Sequence, residues 1–397
     1  MKNNYRIVIV GAGTAGITAA AQLLKKDSSL VGEIVLIDPA EYHYYQPLWT
    51  LVGAGEAKVD NTRKHMTEVL PKGARWLQEK VSTFQPEQNQ LTLDNNQQIE
   101  YEYLIVNPGL KINWEAIKGL KETIGQNGVC SNYSPVYSKY TWEVLSSMKQ
   151  GTAVFTNPNT PVKCGGAPMK IMFLSEDYFT KHNLRDNIEV YYETSKPAIF
   201  DVEKYKVELE RIITERNINV DYLYNLIEVN GPEKIAIFEH LETGDLKEIK
   251  FDMLHVTPPM GPLEFVKNSP LADEDGWIDV DKLTLQHKKY NNIFSMGDAS
   301  NLPTSKTGAA IRKQAPVVVN NILYKMNQKG RIKQYDGYTS CPIVTGYNKL
   351  ILAEFDYEKK PQETMPFNQA KERRSMYILK KDLLPKMYWH GMLKGYM

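Results

Sequence analysis

The 397-residue chain carries 48 basic and 47 acidic side chains, a formal net charge of +1, so it has no global field to attract nucleic acid. Its length suffices for two or three domains and a large core. The mean hydropathy is -0.43, and no window approaches the roughly 20 apolar residues of a spanning helix, which excludes a polytopic membrane protein. Cys130, Cys164 and Cys341 are too few and too scattered for a secreted disulfide scaffold, and none lies in CxxC or metal-ligand spacing. Any two that meet in the fold therefore meet for chemistry. His43, His65 and His182 show no ligand spacing either, and no metal is expected. The sequence enters a strand directly after Met1-Lys2-Asn3-Asn4, without an apolar signal region, so the expectation is a protein that stays where it is made.

Tyr5-Arg6-Ile7-Val8-Ile9-Val10 reads as a strand buried on both faces of a parallel sheet, and Gly11-Ala12-Gly13-Thr14-Ala15-Gly16 follows at once. Residues 17–26 read as a helix, and Glu33-Ile34-Val35-Leu36-Ile37 as a second strand closing with Asp38. This is GxGxxG in the context that a dinucleotide needs. Gly11 permits the tight turn, Gly13 lets the backbone approach a pyrophosphate, and Gly16 lets helix and strand pack closely. Asp38 is placed to hold ribose hydroxyls.

Later residues choose between NAD and FAD. Tyr103-Leu104-Ile105-Val106-Asn107-Pro108-Gly109 is a strand ending in a tight turn at Pro108 and Gly109. It resembles the signature that flavoproteins of the disulfide-reductase superfamily set against the adenosine half of FAD. Asn292-Ile293-Phe294-Ser295-Met296-Gly297-Asp298-Ala299 is a strand running into Gly297-Asp298, and the same resemblance gives Asp298 the ribityl chain. Residues 308–324, opening at Gly308, read as a helix whose positive end would stabilise reduced flavin.

In the second half, Thr152-Ala153-Val154-Phe155-Thr156 reads as a buried strand and residues 169–181 as a helix. Between them, where NADH-using relatives place a second glycine loop, stands Thr160-Pro161-Val162-Lys163-Cys164-Gly165-Gly166-Ala167-Pro168. A thiol on a helix-opening turn has a depressed pKa and a larger thiolate fraction. The next strand, 187–192, is followed by Glu193 without a glycine loop to present a ribose to it, so the NADH site is expected to be lost.

At this point the chain resembles the sulfide:quinone oxidoreductases, closest to the short-loop type of mitochondria and some bacteria. The resemblance rests on Tyr45-Gln46-Pro47-Leu48-Trp49-Thr50-Leu51-Val52-Gly53-Ala54-Gly55, Asn159-Thr160-Pro161-Val162-Lys163-Cys164, Leu302-Pro303-Thr304-Ser305-Lys306-Thr307 and Tyr338-Thr339-Ser340-Cys341-Pro342. It implies an α/β fold of two tandem Rossmann-like domains, with Cys164 and Cys341 as a redox pair over FAD. Gln46, Thr14, Ala15, Val81 and Asp298 fall where the family contacts the cofactor. The implied substrates are sulfide, a quinone (ubiquinone or menaquinone), and a sulfur acceptor such as sulfite, a low-molecular-weight thiol or polysulfide. Asp38 departs from the glutamate common in relatives, and Cys130 is read as a small buried residue without a redox role.

The expected division is an FAD domain over residues 1–112 and 290–330, a second Rossmann-like domain over 113–289, and a C-terminal segment from 331 to 397. In that segment Met376, Ile378, Leu379, Leu383 and Leu384 form one apolar stripe, and Met387, Tyr388, Trp389, Met392, Leu393 and Tyr396 another. Pro385 separates them and Lys380, Lys381, Lys386 and Lys394 are interleaved. The pattern suits interfacial helices, hence a monotopic protein on the cytoplasmic side of a membrane. Tyr347, Phe355 and Tyr377 are aromatic candidates near a quinone. A homo-oligomer stays open. Two other readings remain at this stage: an NADH:quinone or cytochrome-coupled sulfide flavoenzyme, and a flavin-binding sensor, which would not need both cysteines.

Overall fold

The β-branched run that opens the chain becomes the strand Asn4–Val10 in the computed structural model, which describes residues 2–397. It lies between Ile34–Ile37 and Gln98–Val106, parallel to both, with Ile7 opposite Ile34 and Tyr103. Ile7, Val8 and Ile9 are buried completely, as a strand covered on both faces requires. The whole sheet has seven strands: Ala74–Leu77 closes one edge, Gln90–Leu93 and Val81–Gln85 extend the other antiparallel, and Ile293–Phe294 returns to pair with Gln98–Val106. Helices Thr14–Lys26 and Gly308–Asn327 pack against each other.

A second sheet of five parallel strands runs in the order Val129–Cys130, Met253–His255, Gly151–Asn157, Ile188–Thr194, Asn219–Tyr222. Cys130 is fully buried here, and burial pushes its thiol up to about 12. The cysteine turn leads from Gly151–Asn157 into helix Ala167–Lys181. Against that helix packs the hairpin Thr339–Gly346 with Lys349–Phe355, which carries Cys341 opposite Ala353. This architecture is the tandem α/β arrangement expected from the sequence.

Two expectations change. Strand Ile188–Thr194 continues past residue 192, so Glu193 lies inside it and is fully buried. A carboxylate tolerates that place because Lys247 donates to both of its oxygens, at 2.9 and 2.8 Å. The second correction concerns the tail. Met376, Tyr388, Trp389, Met392 and Leu393 are buried against the protein's own core, leaving Ile378 at 42%, Leu383 at 47% and Tyr396 at 74% exposure. The segment is a helix Arg374–Ile378, a π-helical turn Leu379–Leu383 and a helix Leu384–His390. The wide turn accommodates Pro385 at the start of the second helix, where a missing N–H does no harm. Lys380, one of the four interleaved lysines, is buried at 4% exposure.

Since those buried side chains belong to the core, deletion after Pro366 should lower the melting temperature by on the order of 10 °C or more. Calorimetry of the full chain against the truncated one measures this; equal melting temperatures would show a detachable tail.

Candidate active site

Cys164 sits at φ +61°, a left-handed conformation rare outside glycine. Its own N–H donates to Lys306 O at 2.9 Å, and its carbonyl accepts the Ala167 N–H at 2.7 Å, so both sides of the turn are tied. The thiol is thereby aimed at Cys341, Sγ to Sγ 3.4 Å, with both cysteines unbridged. Gly166 is what admits the partner: a Cβ there would lie 2.5 Å from Cys341 Sγ. Beneath the pair lies Lys170, buried at 4% exposure, whose ammonium donates to Cys164 Sγ at 3.1 Å.

These neighbours make the two sulfurs unequal. The Cys341 thiol, followed by the Lys170 ammonium, holds Cys164 well below the ordinary thiol range, whereas the Cys164 contact and burial push Cys341 up. In the reduced pair the thiolate is therefore on Cys164. Lys380 adds a second buried cation facing the same sulfurs. Burial and the Lys170 charge pull it down to about 7, and its Nζ donates to Pro47 O at 3.1 Å.

Around the cysteine turn the two halves of the molecule interlock. Lys163 donates to Gln46 Oε1 at 2.6 Å. Lys306 donates to the carbonyls of Asp298 and Ser300 at 2.8 and 2.9 Å and lies 4.0 Å from the Trp277 ring centroid. Burial brings both lysines down to about 8 and raises Asp298, whose carboxylate faces them. Beside Gly165 opens a cleft of about 370 Å³ that includes Asn157, Phe200, Ser305, Lys306 and Phe355.

The glycine turn has the shape of a dinucleotide cradle. Gly11 has φ +96°, and a Cβ on it would meet Asn107 O at 2.4 Å; one on Gly16 would meet Gly11 O at 1.9 Å. A Cβ on Gly13, Gly109 or Gly308 would meet nothing within 4 Å, so the backbone is bare there for a ligand. Ala15, at the helix start, packs near Gly297, whose φ is +69°. Asp38 sits at the end of Ile34–Ile37, but its carboxylate also accepts the N–H of Ala12 at 2.7 Å and of Ala40 at 2.8 Å, bracing the turn. Pro108 follows Asn107 beside Gly11. Val81 is buried within the first sheet, opposite Leu93. The tight turn at Gly11 and Gly16 and the bare backbone at Gly13 fit a dinucleotide at this turn.

Residues 5–315 match the pyridine nucleotide-disulphide oxidoreductase family. The mitochondrial sulfide:quinone oxidoreductase of Mus musculus is 46% identical over 396 residues, covering 100% of this chain and 88% of that protein. Its counterpart in Dictyostelium discoideum is 47% identical over 397 residues, covering 100% and 87%. The chain belongs to the sulfide:quinone oxidoreductase family. The sulfide:quinone oxidoreductase of Aquifex aeolicus shares the fold at a TM-score of 0.84 and 20% identity, covering 98% of this chain and 92% of that one. A flavin is the cofactor of these oxidoreductases, in keeping with the cradle.

The structure unites Cys164 with Cys341 and sets Cys130 apart in the sheet. Tyr347 and Tyr377 face the loop around Ala54 and Glu56, donating to Ala54 O at 2.7 Å and Glu56 Oε2 at 3.1 Å. Phe355 turns the other way and lines the 370 Å³ cleft. The sequence reading missed Lys170 and Lys380. The signal for Lys170 was there: it is the lone cation in Pro168-Met169-Lys170-Ile171-Met172-Phe173-Leu174.

Lys380 carries a pH signature. Its ordinary value is 10.5 and it titrates near 7 in the fold, so burying the charged form burdens the fold fully below about pH 7. That burden fades as pH rises towards 10.5. Lys380→Met should therefore gain stability over the parent below about pH 7 and lose the advantage near pH 10.5, read from urea midpoints across that range. A pH-independent difference would mean that the ammonium is not desolvated.

Proposed function

We propose that this chain is a sulfide:quinone oxidoreductase that oxidises sulfide at a Cys164–Cys341 centre, with FAD as its flavin. The observation that carries the reading is the 3.4 Å Sγ–Sγ approach beside the buried Lys170. Hydrosulfide attacks the disulfide at Cys341, forming a sulfur–sulfur bond there and breaking the bond to Cys164. The products are a Cys341 persulfide and a Cys164 thiolate, so the incoming sulfur has been oxidised and the disulfide reduced. Cys164 is the better leaving group because Lys170 receives its charge, and a low-pKa thiolate leaves faster. A nucleophilic acceptor, be it sulfite, a low-molecular-weight thiol or polysulfide, then takes the outer sulfur and leaves Cys341 as thiolate. FAD, when bound, would supply two-electron acceptor chemistry, which return of the dithiolate to disulfide and reduction of a quinone, ubiquinone or menaquinone, require. The same 3.4 Å gap suits a bridge of one extra sulfur, whose two bonds of about 2.05 Å span roughly 3.3 Å. The cleft beside Gly165 offers the approach for sulfide and acceptor, since its wall residue Phe200 lies near Gly166 and thus near Cys341.

For the cofactor, Gly11, Gly13, Thr14, Ala15 and Gly16 would hold the pyrophosphate, Asp38 the ribose, and Pro108 and Gly109 the adenosine half. Gln46, Val81, Gly297, Asp298 and Gly308 would line the flavin half. The domain division given by the sequence, with the FAD domain in two stretches around the second one, accords with this assignment. An NADH site is disfavoured, because Glu193, the acid nearest to a ribose position, is already held by Lys247. Among the described residues no helix is long and apolar enough to cross a membrane. The exposed Ile378 and Leu383, with the half-buried Leu379, Leu384 and Met387, form an apolar face beside Lys386. That face suits monotopic docking on the cytoplasmic side of a quinone-bearing membrane.

Anaerobic stopped-flow mixing tests the chemistry. Sulfide should bleach the flavin while NADH leaves it oxidised. Cys164→Ser and Cys341→Ser should each lose about 10³-fold or more of sulfide-dependent quinone reduction, with the double variant scarcely worse and Cys130→Ser nearly intact. Near-parental turnover by Cys164→Ser, or rapid reduction by NADH, would overturn the reading. For the membrane face, Ile378→Ser with Leu383→Ser should weaken binding to anionic vesicles by about tenfold or more without changing the melting temperature; unchanged flotation with vesicles would sink that part.

A further inference from the structure

The last residues of the chain reach the dinucleotide turn. Tyr388, 6% exposed, contacts Thr14 Oγ1 at 2.8 Å and His43 Nε2 at 2.5 Å. His43 Nδ1 lies 3.1 Å from Ala12 O, within the turn itself. A carbonyl can only accept, so Nδ1 carries the proton and Nε2 accepts from the Tyr388 hydroxyl. The tyrosine oxygen is then left to accept from Thr14. Burial keeps this imidazole neutral, bringing His43 down to about 4. Every polar atom of the link is thus assigned: Thr14 to Tyr388, Tyr388 to His43, His43 to Ala12.

The link is backed by independent contacts. The Tyr388 ring lies 4.5 Å from that of Tyr45, just before Gln46. Beyond it the tail lies along helix Thr14–Lys26: Gln22 Nε2 donates to Met397 O, Lys25 Nζ sits 3.1 Å from the Tyr396 ring centroid, and a Cβ on Gly395 would strike the Ala21 backbone at 2.7 Å. The tail is therefore a strap along the helix that opens at the glycine turn. Sequence gave no sign of this, since Tyr388 falls on an apolar stripe.

We propose that Tyr388 is a positioning residue for the dinucleotide turn, holding Thr14 and Ala12 in the flavin-binding conformation from the far end of the chain. The inference rests on the flavin reading of the turn. With Tyr388 in place the turn is ordered before the cofactor arrives, and the cofactor need not spend affinity on ordering it. Without the hydroxyl, Thr14 and His43 lose their shared partner and the turn relaxes.

The test is titration of the full-length apoprotein with FAD, followed by flavin fluorescence, alongside melting of the apo and loaded forms. Tyr388→Phe keeps the ring on Tyr45 and removes one oxygen. It should raise the FAD dissociation constant about tenfold, ~1.4 kcal/mol, and shrink the rise in melting temperature that FAD confers. His43→Phe, which removes the imidazole's contacts to Tyr388 and Ala12, should match it, and the double variant Tyr388→Phe with His43→Phe should be scarcely weaker than either, because both cut one link. Parental affinity in Tyr388→Phe, with apo and loaded forms destabilised equally, would show a role in folding alone and overturn the proposal. Additive losses in the double variant would overturn it too. Should Tyr388→Phe fail to fold, His43→Phe decides alone, a raised dissociation constant supporting the proposal and a parental one overturning it. A parent that takes up no FAD overturns the flavin reading itself.

Discussion

The contact on which the site depends is the one between the Lys170 ammonium and Cys164 Sγ. A cation buried to this depth is costly unless an anion meets it, and the anion available is a thiolate. Helix Ala167–Lys181 brings Lys170 up beneath the turn that it follows, so cation and sulfur come from one short stretch of chain. The strained φ at Cys164 is held by the hydrogen bonds to Lys306 and Ala167, and it sends the thiol towards the hairpin that carries Cys341. Two sulfurs of the same element are thereby made unequal, with the thiolate of the reduced pair on Cys164.

The second Rossmann-like half sets sulfur on a strand-turn-helix frame. Its parallel sheet and strand-turn-helix unit are intact, yet the turn carries a cysteine. The acid nearest to a ribose position is neutralised by Lys247, and its burial raises it to about 7. The scaffold that places a ligand at the carboxyl ends of its strands here places sulfur at the same edge, facing the first half through Lys163 and Gln46.

The C-terminal segment belongs to three parts of the molecule at once. Its buried side chains complete the core, its π-helical turn delivers Lys380 towards the cysteines, and Tyr388 reaches the glycine turn. Few of its apolar residues are left exposed, Ile378, Leu383 and Tyr396 among them.

Local chemistry was legible in the sequence. The glycine turn after a β-branched strand, the cysteine before a helix and the strand into Gly297-Asp298 are each specified by residues close in sequence, because turn geometry and helix starts depend on near neighbours. The pairing of Cys164 with Cys341 came from family resemblance, since spacing alone does not say which distant sulfurs meet. What only the tertiary structure decided was burial and charge. Lys170, Lys380 and Tyr388 look like a stray cation, a surface lysine and an apolar-face aromatic, because periodicity records which face a residue occupies but not what covers that face. The partners of Lys380 and Tyr388 lie on other elements, the Pro47 carbonyl and an imidazole 345 residues away along the chain, while Lys170 meets a nearby sulfur whose own partner, Cys341, is distant. Such contacts exist only once the two sheets and the tail have closed on one another.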